Sequence, residues 1–377
     1  MRQANREEQF AMRKRKTVLV APVLPFRGGI AQHSTMMHRN LINKHEHYTE
    51  SFMRLYPAFL YPGTNDVDPS HAEHLEAGVK YKIDTLNPYT WTRCIKRILE
   101  FQPDSVIFPW WHIYFFFCFG YMAYALKRKG VEIVFMCHNA SDHDSSPWRS
   151  ILTRWLFKSA DRIVVHTRED SEKIKDFCLK ARVDVHPHPI YDQFPQPLNK
   201  LQKRTDLELL FYGYVRPYKG LDSLIDALAE IKREVTLTIA GEFWDDLEYY
   251  KERVKSLGLN DRVEIRPHYH SDAETATLFE RADVVVLPYR SATGSGIVPL
   301  AYHYGKPVVA TRVGGFPDVI VEGRTGWLVE PDNHSELAEV IEQLSRNRTL
   351  ECAPHILKMK SRMSWTSLAE LVSTHSA

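Results

Sequence analysis

The 377-residue chain is 44% hydrophobic, which is enough to fill the cores of two or three domains. Its 49 Lys and Arg residues nearly balance its 47 Asp and Glu residues, so no overall charge favours nucleic acid as a partner.

The five cysteines are scattered and never spaced as C-x-x-C; they are Cys94, Cys118, Cys137, Cys178 and Cys352. This pattern argues against a disulfide framework and a structural zinc site. Because the polar beginning also lacks the apolar core of a signal peptide, a cytoplasmic protein is expected.

The first half of the chain alternates short β-branched runs with longer helical patterns. Strands are predicted at 17–21, 48–53, 105–108, 132–137 and 162–166, and helices at 31–43, 89–100, 148–159 and 171–178. Such alternation is typical of a doubly wound parallel sheet, in which ligands bind at the carboxyl ends of the strands. The sequence therefore predicts the α/β class for this half.

Residues 106–126 are almost continuously apolar, and many of them are aromatic. Pro109, His112 and Gly120 interrupt the run, which disfavours a transmembrane helix. We interpret the segment as a buried strand, a loop at 109–112 and a helix wedged between the sheet and the surface.

A second interpretation of the same helix is peripheral contact with an anionic membrane, at the inner face of the cell membrane. The basic residues within 13–16 and 127–129 could meet lipid headgroups, while exposed aromatic side chains within 113–124 enter the interface. A helix buried against the sheet with a solvated basic end is the preferred interpretation.

Three places in the first half carry candidate ligand-binding residues. Gly28 and Gly29 lie between the first strand and the first helix, where they allow a ligand to approach the backbone; a plain tight turn is the alternative. His138 follows the fourth predicted strand, either as a ligand-facing side chain or as a structural histidine bonded to a carbonyl group. Asp142 and Asp144 could hold a divalent cation, but a solvated acidic loop is the preferred interpretation.

Between 186 and 206 the composition becomes proline-rich and polar, which predicts an interdomain linker. After the linker, strands are predicted at 208–213, 236–241, 263–267, 284–288 and 307–311, and helices at 221–232, 246–256, 273–281, 298–304 and 335–345. Two Rossmann-like domains result, an N-terminal domain at 1–195 and a C-terminal domain at 196–364, followed by a terminal helix at 365–377.

Two features of the second half suit a nucleotide diphosphate. Arg216 and Lys219 are cations one turn apart at a strand end, and the small-residue turn 294–296 opens a helix whose free N–H groups attract phosphate. Residues 242–246 include acidic and aromatic side chains that could line the same pocket, although a helix start explains the two aspartates equally well.

Five motifs of the second half occur in a fixed order. They are the segments 211–220, 240–242, 282–288, 291–300 and 305–315. In this order they resemble the donor-binding half of retaining glycosyltransferases of family 4, and the segments 324–329 and 363–365 resemble the closing elements of that family. The resemblance spans most of residues 207–372.

The resemblance implies a GT-B fold, in which two Rossmann-like domains face a cleft and bind the acceptor and the nucleotide sugar, respectively. It implies that the last helix, from about Trp365, crosses back to the first domain, and that neither a metal nor a cofactor is required. The implied catalytic residues are His138, Arg216 and Lys219. The implied donor-binding residues are Gly28, Gly29, Gly213, Arg216, Lys219, Gly241, Glu242, Tyr269, Gly294, Ser295, Gly296, Ile297 and Val298. His138 would position the transferred sugar by hydrogen bonding, while the leaving phosphate takes the proton of the acceptor.

The chain departs from the family pattern at two positions. Most family members have two glutamates around the glycine loop, one near the sugar and one binding the ribose hydroxyls. Ala292 and Leu300 stand at these places, and neither side chain can accept a hydrogen bond. The usual Gly-Arg pair is likewise Gly213-Tyr214, with the arginine shifted to Arg216.

The preferred function is a retaining glycosyltransferase that acts on a glycan or lipid-linked acceptor, in cell-surface polysaccharide or glycolipid assembly. Another GT-B enzyme, such as a sugar-nucleotide epimerase or a phosphorylase, is one alternative, although carboxylates are sparse in the expected cleft. A catalytically silent partner subunit is the other alternative, which the two missing glutamates suggest and the retained Arg216 and Lys219 disfavour.

Overall fold

The computed structural model describes residues 15–57, 67, 75–138, 147–176, 178, 180–197, 202–292 and 294–374, with the backbone alone at 147–150. By contacts between residues the chain divides into two compact units, Met1–His186 with Trp365–Ala377 and Pro187–Ser364. The division falls before the boundary at 195/196 that the composition predicts. Ile190 accounts for the difference, because it is buried in the core of the second unit and its N–H donates to the carbonyl oxygen of Met363 at 2.9 Å.

The first unit contains a parallel seven-stranded sheet with the order β3-β2-β1-β4-β5-β6-β7. The strands are β1 Lys16–Val20, β2 Glu46–Arg54, β3 Val79–Asp84, β4 Ser105–Trp110, β5 Glu132–Cys137, β6 Arg162–Val165 and β7 Arg182–Val185. The helices are α1 Gly29–Lys44, α2 Pro88–Phe101, α3 Phe116–Lys127, α4 Pro147–Phe157 and α5 Arg168–Lys175, with a 3₁₀ turn at Ile113–Phe115. Successive residues of β4 enter apolar clusters on opposite faces of the sheet, Phe108 on one face and Ile107 on the other. Both faces are therefore covered, as parallel sheets require.

The two strands that the sequence analysis does not predict, β3 and β7, lie at the two edges of this sheet. Their residues are partly exposed, and Lys80 and Lys82 interrupt the apolar pattern of β3. Edge strands are bordered by water and often carry charges, so they lack the continuous β-branched run that reveals a central strand.

The loop predicted at 109–112 is wrong in its first half, because β4 continues through Pro109 to Trp110. The ladder between β1 and β4 stops at Ile107. The carbonyl group of Trp110 faces β5, where it accepts from the N–H of His138 at 2.8 Å. Alternate residues of a strand face opposite neighbours, so Pro109 faces the side where the ladder has ended and its missing N–H removes no hydrogen bond.

The second unit contains a parallel six-stranded sheet with the order β10-β9-β8-β11-β12-β13. The strands are β8 Leu207–Tyr212, β9 Val235–Ala240, β10 Val263–Arg266, β11 Val284–Leu287, β12 Val308–Thr311 and β13 Gly326–Val329. The helices are α6 Leu221–Glu230, α7 Leu247–Ser256, α8 Asp272–Arg281, α9 Ile297–His303, α10 Phe316–Val319, α11 His334–Gln343, α12 Arg346–Leu350 and α13 Ala353–Arg362. The strand that the sequence analysis omits, β13, is again at an edge.

The last helix, α14 (Trp365–Ser373), belongs to the first unit. Its buried side chains are Trp365, Leu368, Ala369, Val372 and Ser373. The apolar members of this set lie in one cluster with residues of α1 and of the first sheet. Just beyond the helix, the buried side chain of Arg162 donates to the carbonyl oxygen of Thr374 at 2.8 Å and pairs with Asp184 at 2.5 Å. The end of the chain thus returns to the unit that contains its beginning.

Among the described residues, no helix combines the length and the apolarity that a membrane crossing requires.

Candidate donor-phosphate site

The turn that follows β8 carries both predicted cations. Gly213, with φ 103°, ends the strand, and a 3₁₀ turn at Pro217–Lys219 leads into α6. Gly220 has φ 64°, and a Cβ atom at this position would lie 2.0 Å from the carbonyl oxygen of Pro288. Only glycine fits such a close approach, so the turn that carries Lys219 packs directly against the backbone of Pro288.

Lys219 is a buried cation with only 8% of its surface exposed. Burial, and secondarily the positive charge of Arg216, lowers the pKa of the Lys219 ammonium to about 8. No carboxylate or hydrogen-bond acceptor pairs with this ammonium in the part of the chain that the structure describes, and its Nζ atom lies 5.4 Å from the centre of the Tyr289 ring. A buried charge without a counter-ion costs free energy, so this position is suited to an anionic ligand.

Arg216 is held by aromatic contact. Its guanidinium lies 4.4 Å from the centre of the Trp244 ring, and Trp244 packs against Tyr214 at 5.0 Å between ring centres. Trp244 is itself 60% exposed. Stacking of this kind orients a guanidinium without neutralising it, which leaves its N–H donors available for a phosphate.

A third arginine, Arg290, supports the turn, and the sequence analysis does not find it. It pairs with Asp222 at 2.8 Å and Asp332 at 2.7 Å, and it also donates to the carbonyl oxygen of Pro217 at 2.7 Å. These contacts raise the pKa of Arg290 above its ordinary value, chiefly through the hydrogen bond to Asp222. Arg290 is therefore held in ion pairs and is structural, whereas Arg216 and Lys219 make no ion pair within the described residues.

Other predicted donor-binding residues meet at this turn. A Cβ atom on Gly213 would lie 3.4 Å from Nζ of Lys219 and 3.4 Å from Cδ1 of Ile297, which begins α9. Gly241, with φ 144°, lies against the carbonyl oxygen of Gly213, and the N–H of Val215 donates to the carbonyl oxygen of Glu242 at 2.9 Å. The ends of β8 and β9 and the start of α9 thus come together, as the donor-site prediction requires.

The glycine loop at 294–296, just before α9, has fewer free backbone N–H groups than the sequence predicts. The hydroxyl of Ser295 accepts from the N–H of Ile297 at 3.2 Å, so this N–H is already bonded. A Cβ atom on Gly296 would lie 2.8 Å from the hydroxyl of Tyr191, which gives this glycine a packing role. Gly294 is exposed, and Val298 is buried in the core of the unit. The loop therefore offers fewer free phosphate donors than its composition indicates.

Tyr269 lies in the loop between β10 and α8, flanked by His268 and His270, and its side chain is largely exposed. The structure describes no contact between Tyr269 and the Lys219 turn. Its role in donor binding stays a prediction.

The glycines of the first unit lie where β1 leads into α1. Gly28 has φ 101° and precedes the helix, and its carbonyl oxygen accepts from the N–H of Gln32 at 3.1 Å. No atom lies within 4 Å of a Cβ built on Gly28 or Gly29. Backbone conformation therefore requires glycine at position 28, while open space surrounds both positions.

His138 directly follows β5 and lies beside His166, which follows β6. Nδ1 of His138 is 3.3 Å from Nε2 of His166, and Nδ1 of His166 is 3.0 Å from the carbonyl oxygen of His186. A carbonyl oxygen can only accept, so Nδ1 of His166 carries a proton and donates to it. A hydrogen-bonded chain thus runs from His138 through His166 to the backbone of His186.

His33 of α1 completes a group of three histidines with His138 and His166. The His33 ring lies 4.6 Å from that of His138 and 4.7 Å from that of Trp365. Sequence reasoning missed His33 and His166, although His166 stands at a carboxyl strand end just as His138 does. Asp142 and Asp144 lie outside the described residues.

Two family models match consecutive halves of the chain. The one described as "Glycosyltransferase Family 4" matches residues 27–194, and the one described as "Glycosyl transferases group 1" matches residues 194–364. The chain is a glycosyltransferase family 4-like protein with a GT-B fold. The matched regions together take in the second sheet, the Lys219 turn and every strand of the first sheet except β1.

Curated relatives of this glycosyltransferase family 4-like protein include two D-inositol 3-phosphate glycosyltransferases. The one from Mycobacteroides abscessus is 26% identical over 269 residues, which cover 65% of this chain and 60% of the relative. The one from Mycobacterium leprae is 29% identical over 245 residues, which cover 59% of this chain and 57% of the relative. The match thus spans less than two thirds of either relative.

Solved structures share the GT-B fold at low sequence identity. Anabaena HepE in complex with UDP has a TM-score of 0.68 and 17% identity, with 95% of this chain and 98% of that chain covered. Sucrose-phosphate synthase from Thermosynechococcus elongatus has a TM-score of 0.68 and 17% identity, with 95% and 97% covered.

Proposed function

We propose that the protein is a retaining glycosyltransferase that moves a sugar from a nucleotide diphosphate sugar to a glycan or lipid-linked acceptor. The observation that carries this proposal is Lys219, a buried cation that has no counter-ion among the described residues. Arg216 adds a second charge at the same strand end, where parallel α/β sheets bind their ligands. HepE, which was solved with UDP and with UDP-glucose, supports a nucleotide sugar as the donor.

The chemistry follows from where charge develops. As the sugar leaves the diphosphate, negative charge builds on the departing phosphate oxygen, and Lys219 and Arg216 stabilise it by charge-assisted hydrogen bonds. The departing phosphate takes the proton of the acceptor hydroxyl on the same face of the sugar, so the anomeric configuration is retained. His138 positions the transferred sugar by hydrogen bonding. In this mechanism the two cations replace a divalent metal.

The two missing glutamates favour one second candidate, a silent partner subunit that binds a nucleotide sugar without turning it over. Leu300 is buried in the core of the second unit, and Ala292 packs against that core. Ala292 cannot supply the carboxylate that usually lies near the sugar, and Leu300 cannot supply the one that binds the ribose, so other groups would recognise the ribose.

Release of nucleotide from a panel of UDP-, GDP- and ADP-sugars, followed by phosphorus NMR, distinguishes the two candidates. The transferase should release nucleotide slowly by hydrolysis, and the freed sugar should keep the anomeric configuration of the donor when proton NMR is recorded before mutarotation. Binding of a donor without any release would instead favour the silent subunit. Release with inversion would overturn the retaining mechanism.

We further propose that the first unit contacts an anionic membrane, in keeping with a lipid-linked acceptor and a role in polysaccharide or glycolipid assembly. The exposed faces of α3 and α4 carry large apolar side chains. They are Phe117, Tyr121, Tyr124, Ile151 and Trp155. We call these five residues the aromatic face; Phe117, with 73% of its surface exposed, is the most prominent.

Basic residues border the aromatic face. Lys127, Arg128 and Lys158 line a cavity of about 450 Å³ together with Tyr124 and Trp155. Lys127 pairs with Asp161 at 3.1 Å, but Arg128 and Lys158 are exposed and make no ion pair within the described residues. Aromatic rings and unpaired cations on one surface are the combination that binds the headgroup region of anionic bilayers.

The basic segment 13–16 contributes less to this surface than its composition predicts. Arg15 lies 3.8 Å from Glu132, and Lys16 lies 3.4 Å from Glu46. Residues 13 and 14 lie outside the described residues. The proposed membrane contact therefore rests on α3 and α4.

A further inference from the structure

The loop between β10 and α8 brings together three side chains that can ligate a metal. His268 and His270 lie in the loop, and Glu274 lies in the first turn of α8. Each residue offers one ligand atom, and these atoms all lie within 4.8 Å of one another. The two imidazole rings are 4.3 Å apart between centres.

His270 is the buried member of this group, with 4% of its surface exposed. Neither of its ring nitrogens makes a hydrogen bond of ordinary geometry to a described residue, although a weaker backbone contact with Arg266 acts on the ring. Buried polar atoms are nearly always bonded, and a poorly bonded one costs free energy. A metal ion would give this buried ring the partner that it lacks.

Glu274 caps α8 and also offers a carboxylate oxygen that could bind a metal. Its Oε2 atom accepts from the backbone N–H of Ser271 at 2.9 Å and from the Ser271 hydroxyl at 2.8 Å. These bonds hold the carboxylate, and Oε1 makes no hydrogen bond to a described residue. Hydrogen bonds to a ligating carboxylate are the usual way in which proteins orient it toward a metal.

We propose that His268, His270 and Glu274 bind one Zn²⁺ ion, with water at the remaining position. Two imidazoles and one carboxylate form a donor set that zinc prefers, whereas Mg²⁺ and Ca²⁺ prefer oxygen ligands. Bonds of about 2.0 to 2.2 Å require ligand atoms closer together than 4.8 Å. His268 is exposed and can approach by a change of rotamer, while Glu274 keeps its hydrogen bonds to Ser271.

The group formed by His33, His138 and His166 is a weaker candidate for the same ion. Its ligand atoms also lie within 4.8 Å of one another. However, His166 already uses both ring nitrogens, one toward His138 and one toward the carbonyl group of His186. Metal binding there would break a hydrogen-bonded chain, whereas at His270 it would engage a ring nitrogen that lacks an ordinary hydrogen bond.

The proposed ion has a consequence for Tyr269, which lies between two of its ligands. Coordination by His268 and His270 fixes the backbone on both sides of Tyr269 and so orders this loop. The ion is distinct from a catalytic metal on the diphosphate, and the proposal does not depend on the nature of the donor. From the sequence, no metal is expected, because Arg216 and Lys219 make one unnecessary at the diphosphate and no cluster of cysteines or histidines is apparent; the cluster at His268 becomes visible in the structure.

Isothermal titration of tag-free, full-length protein with ZnCl₂, after EDTA treatment and removal of the chelator, tests the proposal. We expect one equivalent of zinc to bind, and His268→Ala and Glu274→Gln each to raise its Kd by at least about tenfold. Glu274→Gln keeps an oxygen for the capping bonds with Ser271. Substitution of Co²⁺ should give the visible absorption of a four-coordinate site in the wild type and lose it in His268→Ala.

Two control variants assign the ion to its site. His334→Ala removes an exposed histidine that lies 3.1 Å from Glu230, and His166→Asn disrupts the other histidine group. Both should bind zinc as the wild type does. The proposal is overturned if the wild type binds no zinc, if His268→Ala and Glu274→Gln bind it with unchanged affinity, or if only His166→Asn abolishes binding. Thermal unfolding in EDTA confirms that each variant is folded.

Discussion

Lys219 and Arg216, the two residues proposed to bind phosphate, have different surroundings. Lys219 is buried at a glycine-bounded turn, so its charge is poorly solvated before a ligand arrives. Arg216 is partly exposed and oriented by the ring of Trp244. An anion bound between them would form an ion pair with Lys219 and accept hydrogen bonds from the guanidinium of Arg216.

We expect Lys219→Ala and Arg216→Ala each to weaken donor binding strongly. Each removes a charge-assisted hydrogen bond worth about 1.5 to 3 kcal/mol, which corresponds to roughly a 10- to 150-fold loss in affinity. Titration calorimetry with the donor that the wild type uses measures this loss. Arg253→Ala, which removes an arginine paired with Asp226 in the same unit, is the matched control and should bind normally. Unchanged binding and kinetics in both site variants would refute the diphosphate assignment.

Lys219 also makes the stability of the ligand-free protein depend on pH. Burial lowers its pKa from 10.5 to about 8, so between these values the unfolded chain holds a proton that the folded chain has lost. The free energy of unfolding therefore rises with pH in this window through this residue. Below about pH 8 the full penalty is present, and Lys219→Met should raise the free energy of unfolding at pH 7 by roughly 1 to 3 kcal/mol.

Urea unfolding of the wild type and Lys219→Met at pH 7 and at about pH 10 checks this prediction. The difference between the two proteins should shrink at the higher pH, because the lysine is then neutral in the folded state and partly neutral in the unfolded state. A variant that is less stable than the wild type at pH 7 would show that Lys219 stabilises the fold, contrary to the role assigned to it.

The candidate site was predictable where one motif contained its residues. Arg216, Lys219 and Gly213 lie within ten residues of sequence, and the structure brings them together with Ile297. Arg290 was not predictable, because its contact with the turn depends on the pairing of β8 with β11. The sequence predicts free backbone N–H groups at the start of α9, but the N–H of Ile297 already donates to the hydroxyl of Ser295 in the same loop.

At the scale of elements, every central strand was predictable, whereas three of the four edge strands, β3, β7 and β13, were not; β10 is the edge strand that was predicted. The run Val284–Leu287 is apolar on both faces because sheet neighbours and helices surround it. At the edge, β3 alternates exposed lysines with partly buried residues, and β13 is only four residues long. Periodicity reports burial, so it loses its signal where a strand is bordered by water.

The aromatic face on α3 and α4 gives a prediction for these two helices. We expect the protein to float with liposomes that contain anionic lipid and to remain in the soluble fraction when the liposomes are neutral. High salt should abolish flotation. The double variant Phe117→Ser with Arg128→Ser should lose flotation. Leu357→Ser, which removes an equally exposed apolar side chain from α13, is the control and should float.

Equal recovery of the wild type in the soluble fraction with both lipids would rule out the membrane contact. The same conclusion would follow if the double variant floated as well as the wild type. A glycan in solution would then be the better acceptor class.

At the scale of the whole molecule, turnover should not require a divalent cation. The two cations of the Lys219 turn neutralise the leaving diphosphate, so kcat for nucleotide release in EDTA should equal that without EDTA. EDTA would remove the ion proposed at His268 while leaving this chemistry intact. Complete loss of release that Mg²⁺ or Mn²⁺ restores would contradict the metal-free mechanism and would direct attention to Asp142 and Asp144.

The central claim is that the second unit binds a nucleotide diphosphate sugar through Arg216 and Lys219. Thermal unfolding of the wild type, Lys219→Met and Arg253→Ala with UDP, GDP, ADP and their sugars tests it most directly. At a hundred times its Kd, the correct ligand should add roughly 2.7 kcal/mol to the stability of the wild type and of Arg253→Ala. Lys219→Met should lose most of this shift. If no nucleotide stabilises the wild type, or if one stabilises Lys219→Met equally, the claim is contradicted.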